Sequence, residues 1–350
     1  MKTKIIFLLA IVSLNLHLLF AQTKNEVVSK RGTTAAPFLS ISQGARALAM
    51  GSAFVAIADD PSTMYWNPAG ITDIESMSFV VDHTTWIADI QYEFIGMTTS
   101  LGAFGALGVN ITASDIDEMK VTTVDLPDGT GEIFNVTDLA VGVTYALKLT
   151  NDFSIGFNPK FIYQRIWKMS ANAFAIDLGV KYRTPFEGVT LGMSITNLGT
   201  KMQMAGNNAI VKYDPDPNLT PPDPLATGNN GRIPAEISMD EWDLPLNFRV
   251  GLAYTLGMGF LGKLNLAVDA MHPSDNYECV NAGCEYVFDD FIYLRGGMKS
   301  IAQKDSEEGL TYGFGVRQFL LGNLKFSIDY AYQDFKRLKN AQKVSLGVYF

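Results

Sequence analysis

The chain has 350 residues, 47% of them hydrophobic and 18% charged, with 27 basic against 36 acidic side chains and a formal net charge of −9. Such an acidic balance repels phosphate backbones, so nucleic acid is excluded as a partner. Two cysteines and three histidines leave little material for metal or thiol chemistry, and no cofactor is expected.

Residues 1–21 have the three parts of a secretory signal peptide: Lys2 and Lys4, a mostly apolar run from Ile5 to Phe20, then Ala21 before Gln22. Asn15 and His17 interrupt that run, which is shorter than the roughly 20 apolar residues of a spanning helix, so the expectation is cleavage. Without Lys2 and Lys4 the balance becomes 25 basic to 36 acidic, a formal charge of −11, which suits a cell-surface protein.

Residues 22–76 form an N-terminal segment whose second half, from Pro37, is rich in small residues and turn signals and shows no alternation. Asp60 before Pro61 suits a helix start, with an acceptor at the cap and a preset φ at the first helical position. That helix is expected to end by Asn67-Pro68, because a residue preceding proline avoids helical angles.

From residue 77 to 350 the dominant period is two, the pattern of a sheet with one apolar and one polar face. Leu139, Val141, Val143, Tyr145 and Leu147 alternate with Ala140, Gly142, Thr144, Ala146 and Lys148. Leu324, Phe326, Ile328, Tyr330 and Tyr332 alternate with Lys325, Ser327, Asp329, Ala331 and Gln333. Strands of this kind begin near Met77, Gln91, Gly105, Thr137, Phe153, Asn172, Val189, Pro245, Lys263, Asn276, Phe291, Gly309, Asn323 and Gln342. Their count is even and each is about 9 to 11 residues long, as a tilted membrane strand requires.

Short turns, such as Thr150 to Asp152 and Phe288 to Asp290, are separated by longer loops, notably 115–136 and 199–244. In bacterial barrels short turns are periplasmic and long loops external, which is expected to put both termini on the periplasmic side. Trp86, Trp167, Tyr182, Tyr254, Tyr286 and Tyr332 stand near strand ends, where an interfacial girdle belongs. A soluble β-sandwich also alternates, but its exposed face carries many charges, and here that face is almost continuously apolar.

A barrel of about fourteen strands is too wide for its own side chains to fill, and the N-terminal segment is the natural plug. Inward glycines at 142, 156, 192, 251, 313 and 315 either let that plug approach closely or relieve barrel curvature. Lys148, Asp177, Lys181, Arg249, Asp269, Arg295, Lys299, Arg317, Lys325 and Asp329 fall on the inner face. They are expected to pair with each other and with the plug rather than line an anion path.

The stretch from Gly44 to Gly70, GARALAMGSAFVAIADDPSTMYWNPAG, resembles the N-terminal signature of the PorV/PorQ family, itself similar in fold to FadL-type fatty acid transporters. The matching positions are Arg46, Asp59 and Asp60, then Asn67, Pro68, Ala69 and Gly70, and the likeness runs through the mature chain. The resemblance implies an all-β fold: an antiparallel transmembrane β-barrel of fourteen strands with an N-terminal luminal hatch. The plain NPAG points to a paralogue of the dedicated secretion proteins.

His83 and His272 are the histidines left after the signal, and no G-x-S-x-G element, Walker loop, H-E-x-x-H helix or Cys/His metal spacing appears. An enzyme is not expected. Asp214, Asp216 and Asp223 lack the calcium-loop order of ligands, and five prolines among residues 215–224 favour an extended external loop. Cys279 and Cys284, five residues apart, would sit on opposite faces of one strand, so free thiols are expected.

Two functions follow from the resemblance. One is an accessory barrel of the Bacteroidota-type (type IX) secretion pathway, binding the translocon or secreted cargo. The other is FadL-like passive transport of hydrophobic small molecules. Both place the chain among outer-membrane lipid, as a multi-pass barrel.

Overall fold

The computed structural model describes residues 30–214, 233–303, 306–321 and 324–350. The signal peptide 1–21 and the loop residues Asp216 and Asp223 with their five prolines lie outside these.

Fourteen long antiparallel strands close on themselves. They are β1 Ser78–Thr85, β2 Gln91–Ser100, β3 Ala106–Asp115, β4 Val136–Lys148, β5 Phe153–Ile166, β6 Met169–Arg183 and β7 Val189–Gly199. The second half comprises β8 Asn247–Gly257, β9 Lys263–Pro273, β10 Cys279–Phe288, β11 Ile292–Ile301, β12 Leu310–Leu321, β13 Leu324–Asp334 and β14 Asn340–Tyr349. Each pairs with its neighbours in sequence, and β1 meets β14 in register from Ser78↔Tyr349 to Thr85↔Gln342. Closure leaves no open edge in lipid, where an unpaired backbone group would cost several kcal/mol, on the order of a lost hydrogen bond in hydrocarbon.

The two faces separate as the alternation requires. Along β6, Ala171, Ala173, Ala175, Asp177 and Lys181 are buried while Phe174 and Leu178 are exposed. Along β13, Ser327, Asp329, Ala331 and Gln333 are buried and Ile328 faces out. Cys279 is buried and Cys284 exposed, both as free thiols on β10.

Short turns join β2–β3, β4–β5, β6–β7, β8–β9 and β10–β11 at one mouth. Two of them, Leu101–Gly105 and Met258–Gly262, share one conformation. Gly102 and Gly259 have φ +63° and +62°, and Gly105 and Gly262 have +91° and +95°, angles that only glycine adopts without strain. In each, a tyrosine hydroxyl from the neighbouring strand donates to the turn: Tyr145 to the Phe104 carbonyl at 2.9 Å, Tyr286 to the Leu261 carbonyl at 2.6 Å.

The opposite mouth carries the long loops, though not uniformly: β5 and β6 are joined by Trp167–Lys168 alone, with Trp167 at φ +53°. The loop after β7 folds back as a ladder between Ile210–Tyr213 and Ile233–Glu236, and Met202 pairs with Trp242. The two ends of the described chain lie at different mouths. Phe350 lies at the short-turn mouth, its amide bonded to the Met77 carbonyl at 3.0 Å. Residues 31–36 lie at the long-loop mouth instead. Arg31 bonds Asn276, Thr34 bonds Asp275, and the Ala35 amide donates to the Asp243 carbonyl. Strand parity locates only the end that belongs to a strand; the N-terminal segment crosses the full depth of the barrel before β1 begins.

Candidate functional site

The segment from Ala36 to Ile74 runs between the two mouths inside the barrel wall. It is built from short pieces: a 3-10 turn Pro37–Ser40, helix α1 Ala45–Ala49, helix α2 Thr63–Trp66 and a 3-10 helix Pro68–Asp73. Helix α2 starts at Thr63, later than Asp60-Pro61 suggested, and the Asp60 carboxylate accepts from both the amide and the hydroxyl of Ser62 at 2.9 and 2.6 Å. It stops at Asn67-Pro68 as the proline dictates. Asn67 then accepts from the Ala69 amide and donates to the Val55 and Val180 carbonyls, tying two stretches of the segment to β6.

Irregular backbone at membrane depth has amides that no helix or ladder satisfies, and the inner wall supplies the partners. Asp82 on β1 accepts from the Gly44 amide at 2.8 Å, and Ser345 on β14 from the Ala45 amide at 2.7 Å. Thr311 on β12 accepts from the Gly51 amide at 2.9 Å. Asp269 on β9 accepts from both the Phe54 and Val55 amides at 2.8 and 2.9 Å. Lysines serve the carbonyls: Lys181 bonds Ile57 and Ala58, and Lys343 bonds Ser42.

Glycines bring wall and segment into backbone contact. A Cβ at Gly156 would stand 2.5 Å from the Ala69 nitrogen, and equivalents at Gly192 and Gly313 would strike Val55 and Ala49. Gly142, Gly251 and Gly315 instead make room for wall side chains, those of Asn110 and Asn158, of Asp269, and of Asp329 and Arg295. Close approach of the segment is seen at Gly156, Gly192 and Gly313.

Arg46 is the centre of a buried charge network. Its guanidinium forks onto Glu285 at 2.8 and 2.9 Å and reaches Asp59 at 2.5 Å and Asp60 at 3.4 Å. Glu285, fully buried, also takes Arg295 at 2.7 Å, and Arg295 reaches on to Asp329 at 2.6 Å. At the short-turn end, Asp73 binds Lys181, Lys148 and Arg183 at 3.0, 3.2 and 2.6 Å. Burial alone would raise Asp73, yet these three cations carry it below its usual value.

The remaining inner-face residues divide by partner. Asp177 pairs with Lys160 at 2.8 Å and Lys181 pairs with the segment, so these two wall residues do not meet each other. Lys299 pairs with Glu308 at 2.5 Å. Arg249 lies 5.4 and 5.2 Å from the Tyr65 and Trp66 rings. Arg317 stacks on Tyr293 and Tyr349. Pro68, Ala69 and Gly70 are buried, and a Cβ on Gly70 would strike Ala58 and Thr63. The inner charges that alternation marks do not include Glu285, Asp73, Lys160 and Lys343. Glu285 was legible by parity, since it shares a face with Asn281 and Gly283 on β10, whereas Asp73 lies where no alternation operates.

Residues 22–209 match the model of the family described as type IX secretion system protein PorV. The chain belongs to the PorV family. No curated protein matches it by sequence. Among solved structures it resembles the Ralstonia pickettii toluene transporter TbuX, with a TM-score of 0.52 at 13% identity over 88% of this chain and 97% of that one. The Pseudomonas putida toluene transporter TodX gives 0.52 at 9% identity over the same shares. The CymD monoaromatic hydrocarbon channel gives 0.51 at 12% identity over 87% and 96%. At these identities the likeness is one of fold, a FadL-like barrel. PorV family membership and that fold make the chain an outer-membrane β-barrel.

Proposed function

We propose that this barrel is a PorV/PorQ-like accessory of type IX protein secretion, which binds the translocon or secreted cargo at its long-loop mouth and performs no catalysis. In this reading residues 1–21 are a cleaved signal peptide, residues 22–76 an entry segment and luminal hatch, and the short turns and Phe350 face the periplasm. The observation that carries it is the way the hatch is held. Backbone amides along residues 44–55, the Arg46 network and the Asp73 cluster bind it to strands on every side of the lumen. A plug fixed so thoroughly suits a barrel that works through its outer surface. That surface carries exposed apolar side chains suited to a polypeptide partner, among them Val124, Ile133, Ile210, Tyr213 and Trp242 on the long loops.

The test is affinity capture of the tagged full-length barrel from its own cells, alongside a variant lacking residues 200–240. Secretion-system components and proteins with C-terminal sorting domains are expected with the intact barrel and depleted with the variant. Their absence from the intact sample refutes the reading.

The alternative is FadL-like passive transport of hydrophobic small molecules such as fatty acids or aromatics, favoured by the fold shared with TbuX, TodX and CymD. Uptake of toluene or oleate into liposomes containing the purified barrel, above that into empty liposomes, would establish it in place of the first.

A further inference from the structure

At the short-turn mouth, the ends of β9 and β11–β13 and the β10–β11 turn enclose a recess of about 370 Å³, lined by Lys263, Asp290, Tyr293, Arg317 and Lys325. In a chain of net charge −9, three cations here face one carboxylate. Asp290 is held by Lys263 at 3.1 Å, and both side chains are more than half exposed, so the pair contributes little and yields readily to a competitor.

Arg317 is the unusual member. Its guanidinium lies 4.8 Å from the Tyr293 ring centroid and 5.3 Å from that of Tyr349, which holds it between the two rings. Among the described residues no carboxylate reaches it within ion-pair distance. Asp329 on the adjoining strand is taken by Arg295 at 2.6 Å, and Glu285 by Arg46 and Arg295. A planar fork held between two rings thus lines the recess beside two ammonium groups. A guanidinium fork matches the paired oxygens of a phosphate, and lysines add charge without demanding geometry.

The geometry points to a binding site for a phosphate-type oxyanion, free or as a small phosphate monoester, seated on Arg317 with Lys263 and Lys325 flanking it. The recess is of the size that takes small ligands, so a carbon skeleton attached to the phosphate has room. The site borders the Arg46 network, since Arg295 also lies over the Tyr293 ring at 5.2 Å, but it is away from the long-loop mouth, and it holds whether the barrel serves secretion or transport.

The experiment is calorimetric titration of the full-length protein in nonionic detergent at low salt, with inorganic phosphate, glycerol 3-phosphate and uncharged glycerol as probes. Saturable binding of one or both phosphates, none of glycerol, and weakening as salt rises are expected. Binding of inorganic phosphate alone assigns the site to the free ion; a preference for glycerol 3-phosphate assigns it to a monoester. Arg317→Gln should lose about ten-fold or more in affinity. Lys148→Gln, in a different recess at the same mouth, should bind as the parent does. Lys263→Gln, altering a half-exposed side chain that the fold does not need, should weaken binding several-fold and serves where Arg317→Gln does not fold. Absence of saturable phosphate binding, unchanged affinity in Lys263→Gln, or equal loss in Lys148→Gln overturns the assignment.

Discussion

Replacing Arg46 with methionine keeps most of the side-chain volume and removes the charge that joins hatch to wall. Two bonds to Glu285 disappear, at 2.8 and 2.9 Å, together with those to Asp59 and Asp60. Removing one member of a buried pair typically costs about 3–5 kcal/mol, because the partner remains buried and charged. Glu285 keeps Arg295 at 2.7 Å and Asp59 is partly exposed, so the lower figure applies, about 3 kcal/mol. Most of that loss should fall on the hatch, since the ladders of β1–β14 do not involve Arg46. Trp66 is a suitable reporter: it is buried in the hatch, its indole N–H donating to the Gln43 carbonyl at 2.8 Å. With Trp86, Trp167 and Trp242 changed to phenylalanine, its fluorescence is followed through a urea titration in detergent micelles, while the barrel is followed by gel mobility. At a typical slope of 1–3 kcal/mol per molar, the Trp66 midpoint should fall by about 1 M or more, with the barrel band retained. A midpoint equal to that of the Arg46 protein would refute the view that this network anchors the hatch.

Gly156→Ala should release the hatch by overpacking, since its methyl would stand 2.5 Å from the Ala69 nitrogen, at a cost of about 1–3 kcal/mol on the same Trp66 assay. Gly296→Ala, with nothing within 4 Å of the new methyl, should leave the midpoint where it was. Asp73 gives the pH dependence. Its folded pKa lies below the usual 3.8, so its contribution is fully present above about pH 4 and fades as pH falls through the folded value. Trp66 midpoints measured from pH 6 down to pH 2 should therefore fall less steeply in Asp73→Asn than in the parent; equal slopes would remove Asp73 from the anchoring of the hatch.

The barrel was legible because lipid and lumen impose opposite chemistries on alternate residues. All fourteen strand starts read from that alternation fall within a few residues of those observed, from Met77 against Ser78 to Gln342 against Asn340. The hatch was legible only as a motif. Its α1 helix, Ala45–Ala49, has no amphipathic stripe because wall contacts surround it, with all five residues buried. Nor does alternation say which inner charges meet: Asp177 and Lys181 share a face of β6, yet one turns to Lys160 on β5 and the other to the hatch. Those choices depend on which strand stands opposite and on a plug whose path alternation does not describe.

The paired turns Leu101–Gly105 and Met258–Gly262 bear on how the protein meets its solvent. A hairpin tip ordinarily relies on water to satisfy its carbonyls, and so tends to stay outside the bilayer. Here Tyr145 and Tyr286 stand in for that water, each offering a phenol to a turn carbonyl, while Phe104 and Phe260 project outward with 77% and 92% exposure. Such tips are at ease where water is scarce and apolar contact is plentiful. The short-turn rim is therefore suited to contact with lipid headgroups, where a tip that satisfies its own carbonyl has nothing to lose by leaving water.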